Sequence, residues 1–231
     1  MQQTWKDYFA YEYLDDHAGY FSKERTEQEL DFLTKNIIPT KTTTILDLAC
    51  GQGRHSIGLT QRGYSHITGV DRDEHLLSLA YQAAAKATVT IPFIQQDMRH
   101  LNLDQTYDVI MLLFCTFGIE SDEVNKDILK RLHAHLKPGG RIFFDMHNLF
   151  RFARRMKTQK NDYAEFDLET LTLWDINADG NRELPLRLYT VPEFTERLAK
   201  VGLTITKIWG DYDASPYSFD SERLLVLAQK A

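Results

Sequence analysis

The sequence predicts an α/β fold: a doubly wound parallel sheet with helices on both faces. Three observations carry that prediction. Between residues 43 and 147, short apolar segments of strand length alternate with amphipathic segments of helical length. One of them, "YDVIMLLF" (107–114), is an apolar run of the kind a strand buried on both faces requires. After residue 147 the pattern changes to period-two alternation, which marks antiparallel strands added to the parallel core.

Taken in order, residues 5–17 read as a helix thick with aromatics (Trp5, Tyr8, Phe9, Tyr11, Tyr13). Residues 24–37 form a second helix, with Leu30, Leu33 and Ile37 at helical spacing and Pro39 closing it. A strand at 43–49 leads into a helix at 53–62. A strand at 66–71 leads into a helix at 74–87, whose apolar face is Leu76, Leu77, Leu79 and Ala80. The strand at 89–97 holds Pro92, which cannot donate to a ladder, so it belongs near an edge. The strand at 107–114 is followed by a helix at 121–136 with Ser121 or Asp122 as cap, ended by "KPGG" (137–140), and by a fifth strand at 141–147. Residues 149–160 are a basic helix or loop. Three alternating segments then surround the turn signal "NADGN" (177–181). The helix at 190–202 opens with a capping box, Thr190 and Glu193, and ends at Gly202. Strands at 203–213 and 222–230 close the chain.

At 231 residues the chain is long enough for one sizeable core. The expected organisation is a single domain: an N-terminal helical lid (1–38), a ligand-binding core (39–148), a basic segment and antiparallel β insertion (149–189), and a closing helix with two strands (190–231). The net charge is −6 at pH 7, which disfavours a broad nucleic-acid or anionic-membrane surface. Cys50 and Cys115 sit in no paired motif, so neither a disulfide framework nor a metal site is expected. No apolar run is long enough to span a bilayer and no signal-peptide layout opens the chain, which reads as cytoplasmic.

The functional signal is "TILDLACGQGRH" (44–55), where a strand stops at Gly51-Gln52-Gly53. Ligands of open α/β sheets bind at the carboxyl ends of the strands. Glycine there permits a tight turn and removes the Cβ that would hold a ligand away. Asp71, at the end of the next strand, can accept both hydroxyls of a ribose. A dinucleotide fingerprint would need a third glycine where this chain has Ser56, which favours an adenosine ligand without a pyrophosphate.

The order "ILDLACGQGRHS", "GVD", "QQDMRHL", "LKPGG" resembles class I S-adenosylmethionine-dependent methyltransferases. With "CTFG" and "ERLLVLAQK" it looks closest to a bacterial small-molecule methyltransferase group, over residues 30–148 and, less closely, 186–230. The resemblance implies a Rossmann-like seven-stranded sheet, mostly parallel with an antiparallel last strand, and S-adenosyl-L-methionine as cofactor. It further implies that Ala49, Gly51 and Gly53 meet the methionine end by backbone, with Asp47 holding the loop. Asp71 would take the ribose and Arg72 lie along the adenine. Asp97 would accept the adenine amino group beside the Met98 amide, and Phe114 would line the site near the sulfonium. Arg54 and His55 would stand near the cofactor carboxylate, or Arg54 in solvent.

For the acceptor, "FCTFG" after the fourth strand lacks the Asn/Asp-Pro-Pro-aromatic motif of base-amine methylation, and Cys115 lacks the Pro-Cys context of cytosine C5 chemistry. A small molecule in a pocket is the default, transferred to by in-line displacement. His147 is the candidate base or orienting group, with Asn148 beside it. Thr116 and Phe117 would wall the pocket, and Tyr13 would contribute from the lid together with Tyr8, Tyr11 or Tyr20. Arg187 and Tyr189 share a strand face and would bind an anionic substrate. Arg223, with Tyr212 and Tyr217, would act from the last loop. Alternatives are an RNA or protein methyltransferase, supported by Arg151, Arg154, Arg155, Lys157 and Lys160, a non-catalytic binder of the cofactor, or an NAD-linked oxidoreductase. A homodimer through the β insertion is a further expectation.

Overall fold

The computed structural model describes residues 21–158, 164–176 and 179–231. The expected first helix and the tyrosines at 8, 11, 13 and 20 lie outside the described residues. Chain order begins with α1 (Lys23–Asn36), β1 (Ile45–Leu48), α2 (Arg54–Gln61), β2 (Ile67–Asp71), α3 (Glu74–Lys86) and β3 (Phe93–Gln95). β4 (Tyr107–Leu112), α4 (Asp122–Ala134), β5 (Leu136–His147) and α5 (Leu149–Thr158) follow. Then come β6 (Ala164–Asp167), β7 (Thr172–Ile176), β8 (Arg182–Arg187), α6 (Val191–Ala199), β9 (Leu203–Trp209) and β10 (Arg223–Lys230).

Seven strands make one sheet in the order β3-β2-β1-β4-β5-β10-β9. The first five are parallel, and β10 is antiparallel to both β5 and β9. β3 is three residues long, begins just after Pro92 and stands at one edge. β6, β7 and β8 form a separate antiparallel sheet. All four side chains of β1 are buried because helices cover both faces. One core layer joins Leu30, Phe32 and Leu33 of α1 to Ile45, Val109 and Phe143. The other joins Leu46, Ile110 and Phe144 to Ile128 of α4 and Phe194 of α6.

Local capping follows the sequence. Ser22 accepts from the Arg25 amide, Ser121 from Val124 and Thr190 from Glu193. The strands expected at 89–97 and 203–213 are shorter, at Phe93–Gln95 and Leu203–Trp209, and one boundary is displaced. "KPGG" does not separate α4 from β5 but lies inside β5, because Leu136 already pairs with Tyr107 and the register slips before Val109. The two glycines absorb that slip. Gly139 has φ +73°, and a Cβ on Gly140 would stand 2.8 Å from the Lys137 carbonyl.

The consequence for function is positional. β1 has β2 on one side and β4 on the other, so the chain order reverses beside it and a crevice opens above the carboxyl ends of β1, β2 and β4.

Candidate active site at the carboxyl ends of β1, β2 and β4

A cleft of about 640 Å³, counting the solvent at its open mouth, occupies that crevice. Its floor is Leu48, Ala49 and Gly51 from the β1 exit. Asp71, Arg72 and Asp73 come from the β2 exit, Gln96, Asp97 and Met98 from the β3 exit, and Thr116, Ile119 and Glu120 from the β4 exit. Four successive strand exits thus line one cleft.

The β1 exit is held in an unusual shape. Ala49 (φ +59°), Gly51 (φ +55°) and Gly53 (φ +76°) are all left-handed. Asp71 clamps the loop: its Oδ2 accepts the Gly51 amide at 2.8 Å, and its Oδ1 accepts the Asp73 amide at 2.9 Å. Burial pushes the Asp71 carboxyl up, against those two hydrogen bonds. The two glycines serve different ends. A Cβ on Gly51 would meet open space, whereas one on Gly53 would sit 2.9 Å from Phe93 Cζ and 3.1 Å from Ala80 Cβ.

Asp97 lies at the far end of the cleft and caps the 3₁₀ turn Met98–His100. Burial raises its carboxyl, but hydrogen bonds from Arg99 outweigh that and hold it below the usual range. Arg99 also stands 3.4 Å from Glu120, so the β3 and β4 exits are tied across the cleft. Thr116 Oγ1 is buried with no hydrogen-bond partner among the described residues. A buried hydroxyl in a cleft wall costs stability unless something completes it.

A family model described as a methyltransferase domain matches residues 45–140. YqeM of Bacillus subtilis (strain 168), a methyltransferase by assignment with no acceptor in its name, is 29% identical over 214 residues, covering 81% of this chain and 84% of its own. These matches support a class I S-adenosylmethionine-dependent methyltransferase.

Other relatives of the chain include a cypemycin N-terminal methyltransferase from Streptomyces, 26% identical over 83% of this chain and 85% of that one. Its fold matches an S-adenosylmethionine-dependent methyltransferase from Clostridium acetobutylicum ATCC 824, with a TM-score of 0.75, 21% identity and 95% and 99% of the two chains covered.

Several residues named from the sequence stand elsewhere. Gly53 is not in the cleft lining; packing against Phe93 explains it. Asp47 is buried beneath the loop, where Ser56 Oγ donates to it at 2.6 Å, so it supports the turn from below. Arg54 is neither in the cleft nor in solvent. It donates to Thr26 at 3.0 Å and pairs with Glu29 of α1. Phe117 is 3% exposed and packs against Phe144, Tyr189 and Phe194, so it is core. Asn148 is fully buried with its side chain consumed: it donates to the carbonyls of Ser218, Phe219 and Ser221 and accepts from Tyr217 and the Phe150 amide.

Arg187 and Tyr189 anchor the insertion rather than a substrate. Arg187 reaches Glu193 at 2.5 Å and its amide donates to the Gly118 carbonyl at 2.8 Å. Tyr189 is buried and accepts from Asn125 at 3.1 Å. Arg223 is 6% exposed and faces Asp145 and Cys115. Phe114 lies just beyond β4 with its ring 5.3 Å from that of Phe21, outside the cleft lining. His147 ends β5, with its ring 4.7 Å from Phe152. Tyr13 lies outside the described residues.

Sequence reading missed Glu29, which is 1% exposed. Burial would raise its carboxyl; hydrogen bonds and charge from His55 and Arg54 overcome that and hold it at about 2. His55 Nε2 is 2.8 Å away and Arg25 Nε 3.0 Å. The signal was present: Glu29 is three and four residues before Phe32 and Leu33, on the apolar face of α1. Gln96, Ile119 and Glu120 were also missed: Gln96 lies within "QQDMRHL" but was given no role, and Ile119 and Glu120 follow "CTFG" in a loop without a motif of their own.

Proposed function

We propose that this methyltransferase acts on a small molecule and that the cleft at the strand exits holds the nucleoside part of the donor. What carries the reading is the cleft itself: a bare backbone at Gly51, a buried carboxylate at Asp71 and the side chain of Thr116 line one space at the strand exits. In this reading Ala49 and Gly51 meet the donor by backbone and Asp71 takes the ribose hydroxyls through its remaining lone pairs. Arg72, Asp97, Met98 and Thr116 surround the adenine. Asp47 supports the loop from beneath, and Phe114 stands toward the acceptor end.

The bound donor supplies a methyl group already activated on a sulfonium. The protein's part is then alignment, which alone can supply several kcal/mol of the barrier. A general base is needed only for an acceptor that arrives protonated. His147, at the carboxyl end of β5, is the residue we assign to that role. Cys115 is unsuited to nucleophilic catalysis, because burial pushes its thiol up to about 12 and leaves it protonated.

A macromolecular acceptor is less well supported. Of the basic run in α5, Arg151 pairs with Glu222 and Arg154 with Asp220, which spends their charge locally. The relatives' own names span N- and O-methylation, as in a glycine/sarcosine N-methyltransferase and ubiquinone biosynthesis O-methyltransferases, so the acceptor atom is a question for experiment. The test is a metabolite-extract screen with isotopically labelled S-adenosylmethionine and mass detection of products. A labelled small molecule is expected; label found only on protein or RNA would overturn the reading.

A further inference from the structure

Asp145, near the end of β5, is 2% exposed and has no part in the roles assigned above. It gathers the exit of β4. Its Oδ2 accepts the Phe114 amide at 2.9 Å and the Tyr212 hydroxyl at 2.9 Å, and its backbone carbonyl accepts the Cys115 amide at 3.0 Å. Arg223 stands 3.5 Å from Oδ1, donates to Cys115 Sγ at 2.8 Å and lies over the Phe114 ring at 5.5 Å. Burial, and then the Asp145 charge, push the Tyr212 hydroxyl far up, so it stays a donor at working pH.

Everything in this network converges on two residues. Phe114 and Cys115 are consecutive, neither is glycine, and both are left-handed, with φ +56° and +59°. Such backbone persists only where its surroundings over-determine it. The next residue is Thr116, which lines the cleft and whose hydroxyl oxygen is buried without a partner among the described residues.

We propose that Asp145 is a positioning residue: with Tyr212 and Arg223 it holds the left-handed turn at 114–115 and thereby aims Thr116 at the donor. This rests on the reading of the cleft as the donor site. Asp145 itself touches neither donor nor acceptor in this scheme; it acts through the turn.

Calorimetric titration with S-adenosylhomocysteine tests this without an acceptor. If the wild-type protein does not bind, the donor-site reading fails and the proposal falls with it. If it binds, Asp145→Asn should weaken affinity about tenfold. Cys115→Gly, which adopts the left-handed conformation unaided, should then restore the Asp145→Asn protein to within about threefold of Cys115→Gly alone. Unchanged affinity in Asp145→Asn, or a loss that glycine does not restore, overturns the proposal, since a carboxylate that only balances Arg223 gains nothing from glycine at 115. Should Asp145→Asn fail to fold, Tyr212→Phe removes a single hydrogen bond to the same carboxylate. A loss of about threefold, again restored by Cys115→Gly, supports the proposal, and no loss overturns it.

Discussion

Substituting alanine at Gly51 and at Gly53 should produce opposite phenotypes, although the residues are two apart in one loop. Both are left-handed, so each alanine carries a backbone cost of about 1 kcal/mol. At Gly51 nothing more is added to the free protein, because the new Cβ meets open space. At Gly53 the Cβ lands 2.9 Å from Phe93 Cζ and 3.1 Å from Ala80 Cβ, and forced overpacking adds about 2 kcal/mol. For a domain of this size, Gly51→Ala should then lower Tm by about 2–4 °C and Gly53→Ala by about 6–12 °C. Donor affinity should run the other way. The methyl at position 51 stands beside the cleft, so the Kd for S-adenosylhomocysteine should weaken about tenfold or more, whereas Gly53→Ala should stay within about threefold. Differential scanning fluorimetry and calorimetric titration on the two purified variants read both quantities. The reasoning is refuted if Gly51→Ala binds as wild type, or if Gly53→Ala is the more stable of the two.

Other substitutions probe separate parts of the site. Asp71→Asn keeps the shape but leaves one of the Gly51 and Asp73 amides facing an NH₂ group, so it should lower Tm and weaken S-adenosylhomocysteine binding by on the order of tenfold. Glu29 has a folded pKa of about 2 against an ordinary value of 4.5, a depressed value. Its contribution, about 3 kcal/mol, is therefore complete above pH 4.5 and is lost as pH falls toward 2. Urea midpoints of wild type and Glu29→Gln should converge between pH 4.5 and 3; a gap independent of pH would contradict this. Burial pushes both thiols up, so a maleimide at pH 7 should label neither Cys50 nor Cys115 in the native protein and both in denaturant. Rapid native labelling of Cys115 would count against the packed turn.

Much of the fold was legible because its signals are local. Strand period, caps and turn residues fixed the elements of the core, and Pro92 placed β3 at an edge. "KPGG" was misread because a slip in strand register depends on the partner strand, here Tyr107 pairing with Leu136, and no window of sequence contains both. The part of the cleft lining assigned to the donor was legible for a similar reason. Asp71 ends a strand and Ala49, Gly51, Arg72, Asp97 and Met98 sit one to three residues past one, and parallel strands bring their ends together automatically. The acceptor side was not. Phe117, Asn148, Tyr189 and Arg223 are polar or aromatic residues near strand ends, and only tertiary contacts show that they are consumed by packing, carbonyl groups or a buried acid. Arg54 failed for the same cause, since its partner Glu29 lies 25 residues earlier on α1.

The most direct test of the account is a crystal structure of the wild-type protein with S-adenosylhomocysteine. It should show the ribose hydroxyls on Asp71, the backbone of Gly51 against the homocysteine end and the base between Met98 and Thr116. Density at another place on the chain, or a ribose that leaves Asp71 untouched, would contradict it.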